Sequence, residues 1–157
     1  MHIDLKILHL RRALRYTAAK RPASIEEATL GELAARCGEC LLVFDETGLP
    51  KMTDDGPALL GTPLPNAAYR VAEDTKAEEP EVFALAPGDY VFFQWRARNS
   101  SGGAPIGHAS ATPLFQIFEE VLREAWWQGI ECSGPWFLRL VPEDGRLALQ
   151  ILRRARD

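Results

Sequence analysis

The sequence predicts an α+β domain: an antiparallel sheet of about four strands, with two N-terminal helices and one C-terminal helix that precedes a terminal β-hairpin. Three observations predict it. Tyr90-Val91-Phe92-Phe93-Gln94-Trp95-Arg96-Ala97 alternates strictly, with Val91, Phe93, Trp95 and Ala97 on one face and Tyr90, Phe92, Gln94 and Arg96 on the other. Two further alternations, Trp136 to Val141 and Arg146 to Leu152, are joined by Pro142-Glu143-Asp144-Gly145, whose Asp-Gly pair suits a tight reversal. Between them, Leu114, Ile117, Phe118, Val121, Leu122 and Ala125 recur at helical spacing.

The N-terminus carries two signals. Ile3, Leu5 and Ile7 alternate like a strand, while Ile7, Leu10, Leu14 and Ala18 recur like a helix, and the pattern favours a helix over about residues 8–20 after a short strand. Pro22 and Ser24 then reset the chain. Ser24 with Glu27, and Thr29 with Glu32, both fit the capping-box spacing that satisfies free amides at a helix start, so a second helix is expected to about Arg36. Leu41-Leu42-Val43-Phe44, bounded by Gly38 and by Asp45-Glu46-Thr47-Gly48, reads as a buried strand and a turn. Residues 49–70, rich in Gly and Pro, read as irregular, with a strand near Tyr69 to Ala72.

Five acids among residues 73–81 cannot be buried together and mark an exposed acidic connection within a single domain spanning residues 1–157. The third helix has both ends signposted. Thr112 caps it, Pro113 fills its first position, and Gly129 closes it. Its wet stripe is Gln116, Glu119, Glu120, Arg123 and Glu124. Trp127 shares that polar side, so it awaits either a partner or a cover from the N-terminal helices or the 49–70 segment. In the hairpin, Trp136, Leu138 and Leu140 share the core face with Leu147, Leu149 and Ile151. Phe137, Arg139, Val141, Ala148, Gln150 and Leu152 take the opposite, amphipathic face.

The chain has 157 residues, 46% of them hydrophobic, enough for a core without metal or disulfide staples. No apolar run approaches the ~20 residues a spanning helix needs, and no basic segment leads into an uninterrupted apolar block at the start. With three cysteines, an odd number that suits reduced thiols, the expected location is cytoplasmic, with no membrane role. A net charge of −4 hides basic ends: Lys6, Arg11, Arg12, Arg15, Lys20 and Arg21 near the start, and Arg153, Arg154 and Arg156 near the finish.

Three motifs invite chemistry. Cys37-Gly38-Glu39-Cys40 offers two thiols, but a redox nucleophile needs the positive start of a helix, and this pair falls at a helix end. As zinc ligands, Cys37 and Cys40 lack a second paired spacing, with only Cys132, His2, His9 and His108 to complete a site. The ordinary reading is two half-buried thiols at a helix-to-strand corner, and no metal or cofactor is expected. His108 lies in a long Gly-rich link, residues 99–111, leading to the amide-rich helix start, and is the one proton-transfer candidate; no nucleophile elbow, phosphate loop or zinc-protease motif occurs.

A third reading uses the outer sheet face. There Tyr90, Phe92 and Phe137 would stack single-stranded nucleic-acid bases while Arg96 and Arg139 meet phosphates, although a pI of 5.4 gives no steering. The leading expectation is a non-catalytic interaction or accessory protein that binds another protein or itself. Its contact residues are Trp127 and Arg123 of the helix, with Trp126 as a further aromatic anchor, and Phe92, Gln94, Arg96, Phe137, Arg139 and Gln150 of the amphipathic sheet face, the types that anchor interfaces. The alternative is a small enzyme acting on an anionic substrate through His108 with Arg96 or Arg98.

Overall fold

A computed structural model describes residues 4–22, 27–45, 51–53, 56–58, 65–71, 83–98, 114–143 and 146–156. The elements in chain order are β1 (Lys6–Leu10), β2 (Leu14–Ala19), α1 (Glu27–Cys37), β3 (Cys40–Phe44), β4 (Lys51–Thr53), β5 (Gly56–Ala58), β6 (Ala67–Val71), β7 (Phe83–Leu85), β8 (Gly88–Arg98), α2 (Leu114–Trp127), β9 (Cys132–Glu143) and β10 (Arg146–Ala155). Eight strands form one antiparallel sheet in the order β1-β8-β10-β9-β3-β6-β2-β7, and β4 pairs antiparallel with β5 in a separate two-stranded sheet.

The sheet curls into a half-barrel. Its two ends are drawn together by the chain, since β1 runs into β2 after three residues and β7 into β8 after two. The curl is deep enough that Phe83 of β7 meets Phe137 of β9, ring centroids 6.0 Å apart, although three strands separate β7 from β9 in the sheet order. Each face therefore has a core of its own. On the convex side, Leu30, Leu33 and Ala34 of α1 and Ile117, Phe118, Val121 and Ala125 of α2 bury against Leu42, Phe44, Trp136, Leu138, Leu140, Leu149 and Ile151. Phe118 sits edge-on between Phe44 and Trp136 at 5.2 and 5.3 Å. On the concave side, Tyr16, Leu41, Leu85, Tyr90, Phe137 and Leu152 fill the hollow with side chains from strands alone.

The α+β expectation of four strands and three helices is thus overturned: the protein is mostly strand, with two short helices among the described residues. The largest error is the helix expected over residues 8–20, which is β1 and β2. Leu8, Leu10, Leu14 and Tyr16 form one even-numbered stripe facing the hollow, and Arg11-Arg12-Ala13 interrupts it at the corner, so the surviving apolar spacing mimics a helix. Pairing overrides local propensity there: Lys6 to Leu10 run against Phe92 to Gly88, and Leu14 to Tyr16 against Leu85 to Phe83. β7, only three residues long, is too short to show an alternation of its own. The second expected helix exists as α1, but Thr29 lies inside it rather than capping it, and Ser24 falls outside the described residues, as do Thr112, Pro113 and the 73–81 connection.

The terminal hairpin is longer than its alternation implies. Arg146 pairs with Glu143 and Leu152 with Phe137, as the turn requires, but beyond Arg153 opposite Trp136 the register shifts, and Arg154 meets Ser133. Gly134 and Pro135 are the residues skipped, with Gly134 at φ 83°, a bulge that lets β9 continue back to Cys132. No helix among the described residues is long and apolar enough to cross a membrane.

Candidate interaction surface

Alternation in β8, β9 and β10 holds residue by residue, but the face expected to be an open outer surface lines the hollow. Gln94, Gln150 and Arg139 occupy one rung across β8, β10 and β9, with Leu41 of β3 next in line. They form a continuous chain of hydrogen bonds. Gln150 donates from Nε2 to Gln94 Oε1 at 2.8 Å and accepts at Oε1 from Arg139 Nη1 at 3.1 Å. Arg139 also grips the Glu39 carboxylate, from Nε at 3.2 Å and from Nη2 to both oxygens at 3.1 Å. A charge in a hollow needs such a fork, because a half-buried guanidinium without a partner is strongly destabilising.

Behind this row the Tyr16 hydroxyl is fully buried and makes no hydrogen bond of good geometry. Burial pushes its pKa up to about 12, the neighbouring Arg139 charge pulling the other way. Tyr90 and Phe137 are buried beside it, so neither ring is free to stack a base, whereas Phe92, Gln94, Arg139 and Gln150 stay partly exposed in the hollow. At its rim Arg96 pairs with Glu143 at 2.8 Å, and Phe92 is partly buried in the inner cluster.

The other expected residues scatter. His108 lies outside the described residues, as does the Arg98 side chain, so the enzymatic constellation is not assembled by what is described. Cys40 is buried, and its thiol donates to Gly38 O at 3.0 Å; burial first, then neighbouring Cys37, pushes its pKa up to about 12, the reverse of an activated nucleophile. Among the described residues no three His, Cys, Asp or Glu side chains gather as a metal site. One open depression of about 390 Å³ lies where β3 ends and β9 begins, lined by Val43, Asp45, Asn66, Gly134 and Pro135. Its carboxylate has no second titratable group in that lining, so it has no acid-base pair.

The surface that stands apart is the end of α2. Ala125 faces the core, so helical geometry turns its two successors outward, and Trp126 and Trp127 are 61% and 71% exposed. Their rings meet edge to face, centroids 5.6 Å apart. The helix stops in a Schellman motif: Ile130 N donates to Ala125 O at 2.8 Å, Gly129 N to Trp126 O at 3.1 Å, and Gly129 takes φ 70°. Ile130 returns to the core cluster, which pins the helix end and holds the indoles in place. Together the two rings expose on the order of 300 Å² of apolar area, comparable with the largest patch on an ordinary monomer.

Charge completes the setting. Arg123 is ion-paired with Glu120, and Gln128 donates from Nε2 to Glu124 Oε1 at 3.0 Å. With Glu119 beside them and no basic residue in the last turn, the helix ends with a surplus of negative charge where its dipole is also negative. Sequence reasoning singles out Trp127, with Trp126 beside it, and Arg123, but misses the role of Glu39 as partner of Arg139. That role has no local signal, since 100 residues separate Glu39 from Arg139. No protein-family model matches this chain, and no curated protein is detectably similar to it.

Proposed function

We propose that this is a non-catalytic interaction protein of the cytoplasm that docks a protein partner on Trp126 and Trp127. The observation that carries the reading is the pair itself: two neighbouring indoles, held by a capped helix end and left largely uncovered by the described residues around them. Tryptophan anchors dominate interface energetics when a partner desolvates them, and folding gains nothing from leaving them wet. Three free cysteines fit a reducing compartment.

The test is Trp127→Glu. A binding role predicts at least a tenfold loss of the specific partner captured by the wild-type chain, with the melting temperature unchanged to within a few degrees. Sedimentation of the wild-type chain alone reads self-association, which the same substitution would dissolve if the partner is a second copy. Capture that survives the substitution, or a chain that unfolds with it, overturns the reading.

A further inference from the structure

We infer that the Trp126–Trp127 surface selects a cationic segment, a stretch of partner chain carrying Lys or Arg side chains; this rests on the docking role proposed above and names its chemistry. Three features of the α2 end converge on a cation. The indole faces are electron-rich and attract a guanidinium or ammonium within about 6 Å of a ring centroid, tryptophan being the strongest such partner. Set edge to face 78° apart, the two rings form adjoining walls rather than a flat platform, so one cation can lie against one ring while its aliphatic stem covers the other.

The helix end is also negative on its own account. Its last carbonyls lie at the negative pole, and no Lys or Arg in the last turn neutralises them. Glu124 adds a carboxylate in the last turn, and Glu119 another about two turns before Trp126. Of the described cations near them, Arg123 is engaged by Glu120, and Arg156 lies 3.9 Å from Glu131. Complementary charge of this kind steers encounter and rejects like-charged partners.

The same charge argues against a symmetric dimer through this patch. A two-fold axis at the tryptophans would bring the two acidic helix ends, and their two negative poles, against each other. An anionic lipid surface is disfavoured for the same reason. What remains is a basic segment.

The experiment uses the full chain and three synthetic peptides of equal length in a Gly/Ser background, bearing alternate Arg, alternate Gln or alternate Glu, with binding read from tryptophan fluorescence and fluorescence anisotropy. The Arg peptide should bind at least tenfold more tightly than the Gln peptide, and the Glu peptide should not bind. Raising the salt from about 50 to about 500 mM should weaken the Arg peptide severalfold. Trp127→Leu, which keeps an apolar side chain and loses the π face, should cost the Arg peptide most of its advantage, and Glu124→Gln should cost it a severalfold share. Equal binding of Arg and Gln peptides, each lost in Trp127→Glu, would overturn cation selection and leave the docking surface standing. Arg-peptide binding unaffected by Trp127→Leu and Trp127→Glu would overturn both. Tighter binding to anionic vesicles than to any peptide would replace the partner segment with a membrane.

Discussion

Trp136 is the side chain on which the convex core turns. It is 1% exposed, lies edge-on to Phe118, and carries the Arg153 guanidinium 4.9 Å from its ring centroid, so Trp136→Ala should cost ~3–5 kcal/mol in a denaturant titration. Trp95, on the same sheet face, is only partly buried and stacks on Phe93, and its alanine variant should cost clearly less. An equal or larger loss for Trp95 would mean that the convex core is centred elsewhere. Each core also holds a buried titratable group. The Tyr16 phenol on the concave side and the Cys40 thiol on the convex side both have folded pKa values raised to about 12, above their ordinary 10.0 and 9.0, so both stay neutral in the fold. The unfolded chain releases those protons first as pH rises. Stability is therefore constant in these terms below about pH 9 and falls between about 9 and 12, on the order of 1 kcal/mol per unit for each group. Tyr16→Phe removes a buried hydroxyl without a good partner, so its stability at pH 7 should be equal to or slightly above the wild type, and its fall between about pH 10 and 12 should be shallower. Loss of more than about 2 kcal/mol at pH 7 would mean that the hydroxyl is bonded to Arg139 after all.

Among the elements, the β1–β2 corner shows most clearly what a sequence can conceal. Leu8, Leu10, Leu14 and Tyr16 keep a period of two, but the break at Arg11 and Arg12 gives the surrounding leucines a helical spacing, and only the ladder to β7 and β8 decides between them. That ladder is long-range and leaves no local trace. The opposite holds for the terminal hairpin, where the Asp-Gly signal in the sequence predicts the observed pairing of Arg146 with Glu143 and of Arg139 with Gln150. α2 is legible for the same reason, its buried residues Ile117, Phe118, Val121 and Ala125 falling on the expected stripe. What alternation does not reveal is that the second face of the sheet is also buried, because curling depends on strands without a local signature. The corner where β7 becomes β8 offers a test. Gly88 has φ 146°, and a Cβ there would run into the Arg154 guanidinium, which donates to Pro87 O at 2.9 Å. Gly88→Ala should cost about 1–3 kcal/mol, read from the melting midpoint; a neutral result would mean the corner relaxes freely.

For the molecule as a whole, the sheet is packed from both sides while the Trp126–Trp127 pair stays exposed. Among the described residues the sheet packs on both faces, the convex one under α1 and α2 and the concave one on itself; of the amphipathic strand face, Phe137 is buried there while Phe92, Gln94, Arg139 and Gln150 are partly exposed. Trp127 keeps its expected place on the polar side of its helix with Trp126 exposed beside it, and the structure adds the acidic helix end on which the proposed cation selection rests. Edge strands are the other surface on which such a sheet could meet a partner, but β1 is short and carries Lys6 and His9, and Arg11 and Arg12 follow it, the charges by which edges resist pairing. Acrylamide quenching of tryptophan fluorescence, with and without saturating partner, tests the binding claim most directly. Trp126 and Trp127 should account for the readily quenched emission of the free chain, and the partner should shield that emission while the buried Trp136 component stays unchanged; an easily quenched fraction that is the same in free and bound protein would contradict it.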